Sequence, residues 1–410
     1  MKEKIKQRIK MIEKGEVPKG YKKTKVGIIP EDWEVKKLEK IGKFKKGKGI
    51  SKNDIVEYGL PAIMYGDIYV KYNIKFNQVD YGISEETAKK STFIKKGDLL
   101  FTSSGETPME IGKCVCYIGN ETIYIGGDII ALTSDKVISL FIAYQQNTFK
   151  YIKNKARLGQ GHSVVHIYEK FLSNIDIILP NLKEQQKIAD ILSTQDKLIE
   201  LKQKLIEEKQ KQKKYLMQNL LTGKIRLKGF NDKWKEVKIK DIFSIKRGNV
   251  ISINKLKKIK DYNFCYPVYS SQTKDKGLLG YYNDYIYENA ITWTTDGANA
   301  GNVNYRKGKF YCTNVCGVLL PYKNNTNICI AEILNMTTKK YVSYVGNPKL
   351  MNNTMSNIVI LIPLIKEQEK IANILSKADE EIELLQKDLE QEKLKKKALM
   401  QLLLTGIVRV

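Results

Sequence analysis

Six cysteines and two histidines are the side chains of this 410-residue chain best suited to metal or nucleophilic chemistry. Cys114-x-Cys116 and Cys312-x3-Cys316 have ligand-like spacing, and His162 and His166 add nitrogen donors, but neither half of the sequence contains both cysteine pairs. A zinc site is therefore not expected. All six cysteines, Cys265 and Cys329 included, sit among apolar and β-branched neighbours with no export segment ahead of them, the pattern of reduced thiols in a cytoplasmic protein. Nothing beside His162 completes a nucleophilic pair, so it reads as a hydrogen-bonding loop residue rather than a base. The remaining chemistry is electrostatic. Lys43, Lys45, Lys46 and Lys48, then Lys255, Lys257, Lys258 and Lys260, are clusters fit for phosphate contacts or, more plainly, for a solvated charged face.

The clusters belong to a chain-wide excess. Seventy-one basic residues against 45 acidic give a net charge of +26, which self-repels unless a polyanion or an acidic partner lies alongside. Arginine is scarce (Arg8, Arg157, Arg226, Arg247, Arg306 and Arg409), so most of the charge is lysine, which meets phosphate as a point rather than a fork. That favours affinity over specificity, and part of the bias also fits an AT-rich genome. Apolar residues make up 42% of the chain, enough for two to four domains with real cores. No window approaches the roughly 18 apolar residues of a membrane span.

These groups must be positioned by a duplicated framework. Pro180-Asn181-Leu182-Lys183-Glu184-Gln185-Gln186-Lys187-Ile188-Ala189-Asp190-Ile191-Leu192-Ser193 returns, lightly changed, from Pro363 to Ser376. Both copies run on to matching ends, Leu216 to Gly223 and Leu399 to Gly406, at a constant offset of 183 (406 minus 223). Steps of four and three join Ile188, Leu192, Gln195, Ile199, Lys202, Ile206, Lys209, Lys213, Leu216 and Leu220. In the second copy they join Ile371, Leu375, Ala378, Ile382, Leu385, Leu389, Glu392, Lys396, Leu399 and Leu403. This is a heptad seam with a polar interruption at the same place in both helices. Two such rods of about 60 Å at 1.5 Å per residue are expected to pair antiparallel within the chain.

The segments before the rods are also related. Trp33, Leu38, Ile41, Phe44 and Gly47 match Trp234, Ile239, Ile242, Ile245 and Gly248 at an offset of 201 (234 minus 33), so the second segment is 18 residues shorter. In each, β-rich runs alternate with turns: residues 97–102, 114–118 and 129–132 in the first, and 290–294, 303–305 and 316–320 in the second. The expected fold class is α+β, with two mixed α/β domains on twisted, mostly antiparallel sheets, two long antiparallel coiled-coil helices and an internal pseudo-twofold repeat. The expected boundaries are an amphipathic helix on Ile5, Ile9 and Ile12 in residues 1–24, a first domain at 25–180, a central helix at 181–225, a second domain at 226–362 and a distal helix at 363–410.

This order of domain, rod, domain and rod, with its Glu-Gln-x-Lys-Ile-Ala-x-Ile-Leu-Ser opening, resembles the specificity subunit of type I restriction-modification systems. Trp33 after Ile28 to Asp32, and Trp234 after Gly229 to Lys233, look like that family's entry to each target recognition domain. Residues 267–273 and 293–301 look like a DNA-reading face. The resemblance implies a phage-defence protein that reads double-stranded DNA for two modification subunits and, in the full enzyme, two restriction subunits. S-adenosylmethionine, ATP and Mg would sit on those partners. The chain lacks an Asn-Pro-Pro-Phe/Tyr or Asp-Pro-Pro-Tyr tetrapeptide, a Phe-x-Gly-x-Gly loop, and helicase or nuclease motifs. It is therefore expected to be non-catalytic, binding neither cofactor nor metal.

Base reading needs donors and acceptors carried on rigid loops. The candidates are Ser270, Ser271, Gln272, Thr273, Lys274, Thr294, Thr295, Asp296, Asn299 and Arg306 in the second domain. In the first they are Tyr65, Gly66, Asp67, Ser103, Ser104, Glu106, Thr107, Gln160, His162 and Ser163. For many of them the plainer role is turn formation or capping. Leu216, Leu220, Leu221, Leu399, Leu403 and Leu404 exceed what two helices need and are expected to dock partner subunits. Two rival readings stay open at this level: the recognition subunit of a bipartite type IIB system, and a coiled-coil scaffold that binds polyanions without sequence preference.

Overall fold

Both rods are continuous helices, Leu182–Leu220 and Ile365–Leu404. The computed structural model describes residues 2–272, 274–323 and 326–410. Every position of the two expected seams is buried or half-buried, so the 3.5-residue period was the correct one. Contacts divide the chain within the rods: one compact unit is Met1–Leu201 with Leu389–Val410, and the other is Lys202–Asp388. Each unit thus holds one globular domain and a stretch of both helices.

The polar interruption is where the helices pair by charge. In the second unit Lys202 meets Asp388, Lys209 lies 2.6 Å from Glu381, and Lys213 lies 2.6 Å from Asp379, in antiparallel order. In the first unit Lys396 lies 2.5 Å from Asp196, whose carboxylate also accepts from the Tyr144 hydroxyl at 2.7 Å. Gln195 donates to Glu392 at 2.6 Å. Lys213 with Asp379 and Lys396 with Asp196 are the same pair written twice, 183 residues apart.

Each rod is fastened to its domain by a buried carboxylate. Glu184 is 3% exposed; it accepts from Trp33 Nε1 at 3.1 Å and from the Arg409 fork at 2.6 and 2.7 Å. Glu367 is 1% exposed and accepts from Trp234 Nε1 at 3.2 Å and the Arg226 fork at 2.9 and 2.8 Å. The paired carboxylates hold both guanidinium pKa values above the ordinary arginine range. The arginines reach back because each rod ends in a left-handed glycine, Gly223 at φ +69 and Gly406 at φ +73. Backbone closures between residues six apart follow, Ile225 N–H to Asn219 O and Val408 N–H to Leu402 O. A Cβ at Gly406 would stand 2.5 Å from Pro30 Cγ, so glycine is needed there on steric grounds as well.

In the first domain, Lys43–Lys46, Ile129–Thr133, Leu99–Thr102, Cys114–Tyr117 and Lys75–Phe76 form a five-stranded sheet in that order, parallel only at the last pair. A smaller five-stranded sheet, with one parallel pair, packs beneath it. Leu99, Phe101, Cys114 and Cys116 point into one core, with Phe141, Ile188 and Leu403. Leu100, Val115 and Tyr117 point into the other, with Ile123 and Ile125. Burial on both faces explains the unbroken apolar runs. It also pushes the Cys114 and Cys116 thiols up, Cys116 to about 12, which keeps them protonated.

The second domain has one six-stranded sheet: Phe243–Arg247, Cys316–Pro321, Tyr287–Thr294, Val303–Cys312, Tyr266–Tyr269 and Leu278–Tyr282. It too has a single parallel pair. Helix Ile328–Thr338 covers one face, and Trp293, Leu319, Ile330 and Leu334 share a core with Leu220, Leu221, Ile371 and Leu375 of the rods. The six expected β-runs are all strands.

The leucine clusters at the rod ends are not a free docking face, which corrects the expectation for them. Leu220 and Leu221 lie in the second core, and Leu403 and Leu404 in the first, with Leu216 and Leu399 packed against them. Their excess apolar character is spent on joining rod to domain. The N-terminal helix Lys2–Glu13 half-buries Ile5, Ile9 and Ile12, while Arg8 donates to Ile407 O at 2.5 Å.

Candidate nucleic-acid interface

Sheet register defines one constellation that both domains build. Lys46 ends an edge strand opposite Ile130, and Arg247 ends one opposite Gly317. Thr102 faces Ile129 and Thr294 faces Cys316, so Ser103 and Thr295 occupy the same next place. The backbone agrees. Ser103 N–H donates to Asp128 O at 2.8 Å and Thr295 N–H to Val315 O at 3.1 Å; Ser103 O accepts from Ile167, and Thr295 O from Leu350.

A pinned loop stands beside each of these residues. Gln160 and His166 exchange backbone hydrogen bonds of 2.8 and 2.7 Å, and Ser343 and Lys349 exchange two of 2.9 Å. Strand Ser104–Gly105 pairs with Val165–His166, and Asp296 bridges Lys349. Ser104 Oγ lies 2.8 Å from His166 Nδ1. Lys46, Ser103, Asp128, His166 and Lys170 line a cavity of about 390 Å³. In the second domain Arg247 Nη2 lies 3.4 Å from Asp296 Oδ2 and 3.3 Å from Thr295 Oγ1.

Within this frame the expected reading residues separate by accessibility. Gln160, His162 and Ser163 are exposed on the first loop, and Glu106 and Thr107 are exposed after Gly105. Ser103 and Ser104 are buried and hold the loop from below. Tyr65 and Gly66 open a short helix on the wall of a second cavity of about 800 Å³, shared with Tyr69, Glu106, Met109 and Lys113. Asp67 is engaged inside the domain: it pairs with Lys71 at 2.7 Å, accepts from Met64 N–H at 3.1 Å and is bonded by the Tyr81 hydroxyl.

In the second domain Ser270, Ser271, Gln272 and Lys274 lie on the turn between strands Tyr266–Tyr269 and Leu278–Tyr282, with Gln272 and Lys274 exposed. Asn299 Nδ2 donates to Ser271 O at 3.2 Å, so two of the sequence groups do meet. Thr273 lies outside the described residues. Thr294 and Thr295 are buried. Arg306, expected to face a base or phosphate, points inward instead. It is 6% exposed, donates to Thr292 Oγ1 at 3.0 Å and Lys276 O at 2.8 Å, and stacks 3.6 Å over Tyr269. Burial lowers its pKa, and its work is to anchor the turn that carries Gln272 and Lys274.

The lysine clusters are exposed as required for phosphate contacts. Lys43, Lys45 and Lys46 belong to the edge strand with Lys48 just beyond, and Lys255, Lys257, Lys258 and Lys260 lie on and after a short turn. Lys257 is partly neutralised by Asp261 at 2.6 Å. Missed by residue reasoning were Arg247, Lys170, His166 and the whole 343–349 loop. The signal was present, since the 183 offset aligns Lys349 with His166, but it carries no shared residue type.

A doubled α/β scaffold whose two domains each end in a cation-flanked loop, joined by paired rods, is the architecture of a DNA specificity subunit. The family model for the type I restriction modification DNA specificity domain matches residues 30–209 and 231–393, and the chain belongs to that family. A putative type I restriction enzyme specificity subunit of Methanocaldococcus jannaschii is 30% identical, over 95% of this chain and 97% of that protein. The fold matches the crystal structure of a type I restriction-modification S subunit from M. genitalium, with a TM-score of 0.61 and 18% identity over 90% of this chain and 96% of that one. It also matches a chain from a study of complex assembly and conformational transition in the type I system, at TM-score 0.55 and 14% identity, over 93% of this chain and 99% of that one.

Proposed function

We propose that each domain reads one half of an asymmetric, bipartite DNA site, that the rods set the spacer between the halves, and that the chain performs no catalysis itself. The observation that carries this reading is the constellation built twice at one sheet register with different side chains: Lys46, Ser103 and the 160–166 loop against Arg247, Thr295 and the 343–349 loop. Equal frames with unequal residues make two readers of different text, whereas a symmetric dimer reads a palindrome.

A reading module does not reach an adenine inside the duplex; a partner must flip it out at a cost of a few kcal/mol. The proposed partners are two adenine-N6 modification subunits and two restriction subunits, which would hold S-adenosylmethionine, ATP and Mg. With the terminal leucines buried, docking falls to apolar residues off the seam: Leu198, Leu201 and Leu394 in the first unit, and Leu205 and Leu384 in the second, all exposed. Among the described residues no helix is long and apolar enough to cross a membrane.

Methylome sequencing of cells with and without this chain tests the proposal. A two-part motif with one methylated adenine on each strand is expected, vanishing when the chain is absent. No motif would point to a scaffold binding polyanions without sequence preference, and a fused methyltransferase-nuclease partner to a type IIB assembly.

A further inference from the structure

The loop Ser343-Tyr344-Val345-Gly346-Asn347-Pro348-Lys349 has an unusual surface. Tyr344 is 70% exposed and Val345 93% exposed, side by side at the tip. Single exposed apolar residues are ordinary. This pair, however, stands on a braced base: Ser343 and Lys349 bond each other twice, Gly297 N–H donates to Pro348 O at 2.9 Å, and Asp296 bridges Lys349. Bracing of this kind presents a side chain rather than letting it collapse onto the domain.

The flanks are cationic. Lys349 is exposed at the loop's end, and Arg247 reaches Asp296 beside it. In the first domain the equivalent loop carries Val164, 48% exposed, with His162 and Ser163, and Lys46 and Lys170 line the adjoining cavity. An apolar tip between positive charges is complementary to a DNA groove, where thymine methyls and base steps take apolar contacts and phosphates line the rims.

We infer that the 343–349 loop is the element the second domain presses into its half-site, with Tyr344 and Val345 against base edges and Lys349 and Arg247 on flanking phosphates. The inference rests on the DNA-reading function proposed above and adds to it the residues and the manner of reading.

The test uses the full chain assembled with its modification subunits, first mapping the wild-type methylated motif. The double substitution Tyr344→Ser with Val345→Ser removes only exposed side chains, so its thermal melt should match wild type. It is expected to relax one half of the motif or lower methylation there about tenfold, in the range of a lost base contact, with the other half unchanged. His162→Ala with Val164→Ser should act on the other half. Lys349→Gln should weaken specific and scrambled duplexes alike and make the salt slope shallower by about one. If the Tyr344/Val345 variant methylates the wild-type motif at both halves and binds that duplex as wild type does, the loop is not a reader and the inference fails, while the two-domain function stands. A wild-type complex that leaves no bipartite motif removes the DNA-reading function itself.

Discussion

Buried charge in this chain is placed where it fastens elements together, and Glu367 shows how. Its carboxylate is out of water and is met by a fork from Arg226 and an indole N–H from Trp234. Glu367→Gln keeps the shape but leaves the guanidinium without its counterion, which should cost about 3 kcal/mol in denaturant titration. Glu184→Gln should cost the first unit less, because Arg409 keeps a second fork on Asp32 at 2.9 and 2.8 Å. Lys155 is the contrary case. It is fully buried on two carbonyls, Gly112 O at 2.5 Å and Gln146 O at 2.9 Å, among the described residues without a carboxylate, and burial pulls its pKa down to about 8. Between that value and the ordinary lysine range the unfolded chain binds more protons than the folded one, so this group's contribution to stability rises with pH across the window. Below pH 8 its charge is held buried at a cost that is constant with pH. Between pH 7.5 and 9.5 wild type should gain stability relative to Lys155→Met in thermal melts, the opposing pull of the raised buried thiols being common to both proteins.

At the scale of elements the rods were the most legible part, because a heptad pattern states its own burial. Residues that look like faults in that pattern, Lys209, Lys213, Glu392 and Lys396, are the charged rungs between helices. Lys213→Asp should destabilise the second unit, and adding Asp379→Lys should restore most of the loss, with a coupling near 1 kcal/mol for this partly buried pair. The strands were legible for a similar reason: Cys114 to Tyr117 alternates between two cores, so all four residues read as apolar. The terminal leucines were misread because composition reports that a surface wants covering without saying what covers it. At Arg306 the residue type implied a ligand, whereas the close stack on Tyr269 and the bond to Lys276 O show an anchor. The 343–349 loop escaped notice because its identity lies in strand register, a long-range property that one sequence does not display.

For the whole molecule, the contrast between the offsets 201 and 183 carries the functional argument. The shortening of the second domain accompanies a change from two five-stranded sheets to one of six strands, while the register of the three shared strands, the clasps and the rods is kept. Tolerated change in the readers beside fixed length in the rods is what a spacer-setting device requires. The decisive variant removes one heptad from each rod at matching positions, residues 203–209 and 386–392, which preserves the seam phase in both helices. One heptad shortens a helix by about 10 Å, close to three base pairs. The expected methylome keeps both half-sites and loses about three bases from the gap between them. Heptad loss that leaves the gap unchanged would separate rod length from spacer length. Heptad loss that abolishes methylation while the variant still melts as a folded protein would show that the rods position the modification subunits as well as the readers.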